Sequence, residues 1–158
     1  MSYYFAFRPQ IKSGDVIAYT HKGVRNFYDF KVWLVRLFTQ SEYTHVAVAW
    51  CVGERVFLLE AVGAGVRIYP LSLDLPAYHL TGSGLTEDQL NAALAEVGKP
   101  YSYWDCVKAY FGANDPKNGM WECAEYVGAV LGLKCHATPS DTVGYLLTNG
   151  STLTEIRP

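Results

Sequence analysis

From Thr44 to Val62 the chain is apolar almost without a break, and Gly53-Glu54 is the interruption. On either side lie "THVAVAWCV" and "RVFLLEAV", rich in β-branched and aromatic residues. A Gly-first pair between two such runs predicts a hairpin with a type II′ turn. "SGDVIAYT" (13–20) reads as a turn entering a strand, "GVRIYPL" as a third strand at the hairpin's edge, and "PAYHLTG" as one more. Elsewhere the apolar positions recur at helical spacing. Over 26–41, Phe27, Phe30, Leu34, Leu37 and Phe38 share one side, with Lys31 and Arg36 on the other. The second half is predominantly helical. Thr86 with Gln89 three residues on forms a capping box ahead of "DQLNAALAEVG", which ends at Gly98. A helix from about Ser102 to Phe111 follows, then the turn-rich "GANDPKNG" and a helix within "MWECAEYVGAVLGL" (120–133). "TPSDTVGYLL" opens a last helix, with Thr138 as N-cap and Pro139 at the first helical position. No repeat, linker or low-complexity tract divides the chain. The expectation is one α+β domain over 1–158, a small antiparallel sheet or partial barrel packed against helices.

Composition narrows the function classes. Half of the residues are hydrophobic, 18% are charged and the formal net charge is −2. That balance gives no electrostatic reason to expect nucleic acid or an anionic membrane as partner. The start, "MSYYFAFRPQIK", has no basic n-region followed by an apolar stretch, and no run is long enough to span a bilayer. The default expectation is a cytoplasmic protein with reduced thiols and no stable membrane insertion. The four cysteines, Cys51, Cys106, Cys123 and Cys135, contain no C-x-x-C pair. A zinc site from Cys106, Cys123, Cys135 and His136 would lack the usual close pair, so no metal and no cofactor are expected.

Candidate chemistry comes from the hairpin register. With Gly53 and Glu54 in the turn, Val52 faces Arg55, Ala47 faces Glu60 and His45 faces Val62. Alternation then places His45, Ala47, Ala49 and Glu60 on one face. His45 and Glu60 become diagonal neighbours, roughly 7–8 Å apart at the backbone, a gap their side chains can close. The two alanines leave room for a helix on that face, and the expected occupant is the helix that begins near Cys123. Only a thiolate attacks efficiently; a helix N-terminus and a neighbouring imidazolium both stabilise it. A carboxylate on the far ring nitrogen would fix the tautomer. Of the remaining candidates, His21 and His79 read as surface or groove residues near strand ends. Asp15 reads as a turn residue, and Cys51 and Cys106 as core.

These segments also resemble a known family. "GDVIAY", "YTHVAVAW", "FLLEA", "GVRIYPL", "GKPYSYWD" and "ECAEYVGAVLG", in this order, are similar to the circularly permuted papain-like amidases of the YiiX-like group, relatives of the NlpC-type cell-wall peptidases. The resemblance runs from Gly14 to about Tyr145. It implies a circularly permuted papain-like fold in which Cys123 is the nucleophile, His45 the base and Glu60 the residue that orients it. Tyr101, in "GKPYSYW", matches a tyrosine near the oxyanion or substrate site. The chain departs from the peptidases' "DCSG", having "ECAE" with Ala124 in place of a small hydroxyl residue. The implied activity is that of a cysteine amidase or peptidase acting on small peptide or amide substrates, with peptidoglycan fragments the first class to try. Such a substrate would call for delivery in a phage particle, export by another route, or recycled cell-wall peptides. The alternative is a lipid- or thioester-directed acyltransferase of the lecithin retinol acyltransferase type. That group shares the permuted order and the positions of Tyr126 and Val127, but has a histidine where Glu60 stands.

Overall fold

A computed structural model of the chain describes residues 3–20, 42–102, 119–134 and 138–158. The helix expected over 26–41 and, Ser102 apart, the one over 102–111 lie outside the described residues. Six strands form one open antiparallel sheet: β1 (Val16–Thr20), β2 (Tyr43–Val52), β3 (Arg55–Val62), β4 (Gly65–Pro70), β5 (Ala77–Leu80) and β6 (Leu153–Ile156). Their order is β4-β3-β2-β1-β5-β6. Four helices are described: α1 (Tyr3–Phe7), α2 (Glu87–Ala95), α3 (Cys123–Leu131) and α4 (Pro139–Thr148). The architecture is α+β, as expected, and the sheet is open where a partial barrel was the alternative.

Local signals explain most of the elements. Val52 pairs with Arg55 across Gly53-Glu54, and Gly53 takes a positive φ of 56° that the turn requires. Thr86 accepts from the Gln89 N–H while the Gln89 side chain accepts from the Thr86 N–H, a complete capping box on α2. Thr138 caps α4 with Pro139 next to it, and α3 ends at Gly132 in the left-handed conformation. Gly65 is fixed by packing as well as by its φ of 110°. A Cβ there would lie 2.6 Å from the Lys99 carbonyl oxygen, the atom that accepts from the Val66 N–H. This contact ties the segment leading to Tyr101 onto the start of β4.

Both faces of the sheet are covered, which is why its central strands read as unbroken apolar runs rather than alternating ones. In β2, Val46 and Val48 join Leu59, Ala61 and the α3 residues Cys123, Ala124 and Val127 in one buried layer. Ala47 and Ala49 join Ile17, Leu58 and the α1 residues Tyr4 and Phe7 in the other. Helix α3 lies over β2 and β3, α4 over β2 and β5, and α2 packs on α3. This corrects one expectation: the small residues Ala47 and Ala49 look toward the layer of α1, and the helix bearing Cys123 sits on the alternate positions. Two elements, α1 and β6, were not anticipated; both are short, and among the described residues β6 pairs with β5 at the sheet edge.

Candidate active site

The β2–β3 ladder runs in the expected register, from Val52 opposite Arg55 to Val48 opposite Leu59. Continued, that register sets His45 and Glu60 diagonally on one face, and their side chains close the gap. His45 Nε2 donates to Glu60 Oε2 at 2.6 Å. On its other side His45 stands directly opposite Tyr19 of β1, with ring centroids 5.7 Å apart. One residue further on, the β1–β2 register slips, so that Thr20 faces Tyr43. The slip turns Tyr43 into the layer of α3 and α4, where its N–H donates to Ser140 Oγ at 3.2 Å. His45 therefore lies just inside the irregular start of β2, with 20% of its side chain exposed.

Glu60 is fully buried, and each of its oxygens has a cationic or imidazole partner. Arg67 reaches Oε1 with both Nε and Nη2, each at 2.7 Å. Burial alone would raise the Glu60 carboxyl, but the hydrogen bond and charge of His45, joined by those of Arg67, outweigh it and hold the group below its ordinary range. Arg67 is a residue that the sequence reading missed, although a signal was present. A second two-residue turn, Gly63-Ala64, pairs Val62 with Gly65 and so sets Glu60 directly opposite Arg67.

Cys123 is the first residue of α3 and is buried at 3% exposure. Glu122, the N-cap, accepts from the Glu125 N–H, so its carboxylate occupies the helix start. The Cys123 thiol donates to the other oxygen, Glu122 Oε2, at 3.6 Å. Burial, with the nearby Glu125 charge adding to it, pushes the Glu122 carboxyl up to about 7 against the pull of the backbone N–H groups. Tyr101 is brought to this helix start: it bridges to Trp121 two residues ahead of Cys123, and the Trp121 N–H donates to the Pro100 carbonyl at 3.1 Å.

The structure thus joins His45 to Glu60 and sets Tyr101 beside the approach to Cys123. It does not join Cys123 to His45 by a hydrogen bond. The residues alternating with His45 are those that receive α3, and the ring itself leans on Tyr19 in the opposite layer.

A second histidine–carboxylate pair corrects two minor expectations. His79 is buried, not a surface or groove residue, and its Nε2 donates to Asp15 Oδ2 at 2.7 Å. Asp15 also accepts from the N–H groups of Lys12 and Gly82, each at 2.8 Å, so the turn residue is also a buried knot between β1 and β5. Burial raises its carboxyl, but these hydrogen bonds, led by that of His79, leave it lowered. His21, Cys106, Cys135 and His136 lie outside the described residues. Cys51 is half-buried and its thiol, raised by burial, donates to the Ile11 carbonyl at 3.4 Å. Among the described residues no three His, Cys, Asp or Glu side chains group as a metal site, and no helix is long and apolar enough to cross a membrane.

No family model matches the chain, and no curated protein matches it. Among solved structures it is similar to the metalloprotein YiiX from Escherichia coli O157:H7, with 22% sequence identity and a TM-score of 0.55. The match covers 77% of this chain and 64% of YiiX, so the chain spans somewhat under two thirds of that protein's length. At this identity the likeness is one of fold, and the fold of this chain is YiiX-like.

Proposed function

We propose that the chain is a circularly permuted papain-like cysteine hydrolase, an amidase or peptidase acting through Cys123, His45 and Glu60. The observation that carries the reading is the His45–Glu60 pair. Its carboxylate is buried, ionised and bonded to Nε2, which leaves Nδ1 as the ring nitrogen available to a sulfur. A thiol at the first residue of a helix seated on the other face of the same two strands is the proposed nucleophile. The chain order, His45 and Glu60 before Cys123, is that of the permuted relatives. Resting enzymes often hold nucleophile and base out of hydrogen-bond contact, and the contact forms in the substrate complex. Here His45 and the Cys123 sulfur belong to opposite layers of the sheet, so the reading requires the irregular start of β2 to rearrange for the contact to form.

In the reaction, the Cys123 thiolate attacks the carbonyl carbon of an amide and the C–N bond breaks as the tetrahedral intermediate collapses. The proton taken from the thiol goes from His45 to the leaving amine. Water, deprotonated by the same imidazole, then cleaves the thioester and restores the thiol. The backbone N–H of Cys123, at the start of α3, would donate to the oxyanion of the intermediate, and the Tyr101 segment borders that helix start. Small peptides with free amines, peptidoglycan fragments first, are the substrates proposed.

YiiX is described as a metalloprotein. The described residues here do not fit a metal ion. Glu60 is already clasped by a guanidinium, whose charge would repel a cation, and the Asp15–His79 pair is buried and saturated by backbone donors.

The reading is tested by incubating the protein with peptidoglycan-derived peptides, acyl lipids and acyl thioesters in parallel, with mass spectrometry of products and protein. The expected result is a cleaved amide and a transient acyl adduct on the peptide containing Cys123. Transfer of the acyl group to an added amine or alcohol in preference to water would favour the acyltransferase alternative. An adduct on another cysteine, or none with any substrate, would refute both.

A further inference from the structure

We infer that Arg67 is a positioning residue for His45, acting through Glu60: its guanidinium pins one carboxylate oxygen so that the other must face the imidazole. The inference rests on the reading of His45 as the base, and it concerns a residue outside the triad. The arrangement is more specific than a chance ion pair. Arg67 stands directly opposite Glu60 in the β3–β4 ladder, and both Nε and Nη2 converge on the same oxygen, Oε1. Its guanidinium lies 4.3 Å from the centroid of the Tyr69 ring, two residues along the same strand, which restricts where the fork can go. Glu60 has no solvent to turn toward, being 0% exposed, whereas 41% of the Arg67 side chain remains exposed. A buried carboxylate with a single partner could rotate about its last bond; one held at both oxygens cannot.

Among the described residues, the charged and titratable groups around the pair come from four places. His45 projects from β2 and Arg67 from β4; Tyr19 projects from β1; and Asp74, in the turn after β4, acts on Tyr19. Of these Arg67 is the permanent cation. It shares the charge of Glu60 with His45, so the imidazole meets a carboxylate that is correctly aimed but partly neutralised. The base therefore keeps one tautomer and one orientation, and loss of Arg67 would leave the Glu60 charge unshared beside the ring.

The test replaces Arg67 by methionine, which keeps the stem over Tyr69 and removes the charge and the fork, and by lysine, which keeps a charge without the fork. The readout is the titration of the His45 ring followed by NMR, with His45→Gln as the assignment control. In Arg67→Met the midpoint is expected to rise by about one pH unit, because a neighbouring cation has gone and the Glu60 charge is no longer shared. The kcat/KM–pH profile is expected to move the same way, and Arg67→Lys to fall between the two. A residue that merely braced the sheet would lower the amplitude without moving either curve. An unmoved His45 midpoint in Arg67→Met overturns the inference. If that variant does not fold, an Arg67→Lys protein with the wild-type midpoint and wild-type kcat/KM overturns it. Because the imidazole is observed directly, a shifted ring in a protein that hydrolyses nothing would count against the hydrolase and leave the role of Arg67 standing.

Discussion

Cys123→Ala is expected to lower turnover by about a thousandfold or more, with His45→Ala nearly as damaging, since nucleophile and base work as one unit. The double variant should be little worse than either single one, because once the attack is lost the remaining partner has nothing to act on. Glu60→Gln should fall between these and the wild type, on the order of a hundredfold down, since attack and oxyanion stabilisation survive while the ring loses its ionised partner. Folding should survive in Cys123→Ala. The side chain is small and buried among Val46, Val48 and other apolar neighbours, so loss of the sulfur costs about 1 kcal/mol. Steady-state kinetics beside denaturant unfolding separates the two effects. Turnover by Cys123→Ala at the wild-type rate would sink the proposed function outright, and a parallel loss of stability and activity would show that the cysteine serves packing.

The parts of this site that were legible in the sequence are those set by short-range rules. Gly53-Glu54 permits a tight turn, and once the turn is placed, strand periodicity alone brings His45 to Glu60. The starts of α2 and α4 were legible for the same reason, since Thr86 with Gln89 and Thr138 with Pro139 act within one turn. What could not be read is which layer covers which face. In β2 Val46, Ala47, Val48 and Ala49 are all fully buried, so no polar side marks the exterior and small residues do not say which helix they admit. The seat of α3 on Val46 and Val48 is decided by the connections between elements, which no local pattern encodes. The Asp15–His79 pair was missed because it joins residues 64 positions apart, through a β1–β5 pairing that places a late strand beside an early one. Arg67 was within reach: the same counting that paired His45 with Glu60, applied to Gly63-Ala64, gives Glu60 opposite Arg67.

Glu122 should make the protein less stable as pH rises, and its removal should sharpen the thiol. In the folded chain its carboxyl is raised from an ordinary value of 4.5 to about 7, chiefly by burial. Between those two values the native state holds a proton that the unfolded state has released. By linkage, stability must then fall as pH rises from 4.5 to 7, and stay lowered above it. A shift of this size corresponds to about 3 kcal/mol, set against stability that Glu60 and Asp15, with lowered carboxyls, contribute once the pH exceeds the ordinary carboxylate range. Glu122→Gln isolates the term, since glutamine keeps an oxygen for the Glu125 N–H and carries no charge. The stability difference between wild type and variant, from denaturant unfolding, should shift by about 3 kcal/mol in favour of the variant between pH 4.5 and pH 7. The same carboxylate lies 3.6 Å from the Cys123 sulfur, and once ionised it opposes a second negative charge there. Iodoacetamide should therefore alkylate Cys123 faster in Glu122→Gln than in the wild type above pH 7, with the profile moved to lower pH. Stability differences that do not vary with pH, together with coincident alkylation profiles, would mean that Glu122 is a helix cap and nothing more.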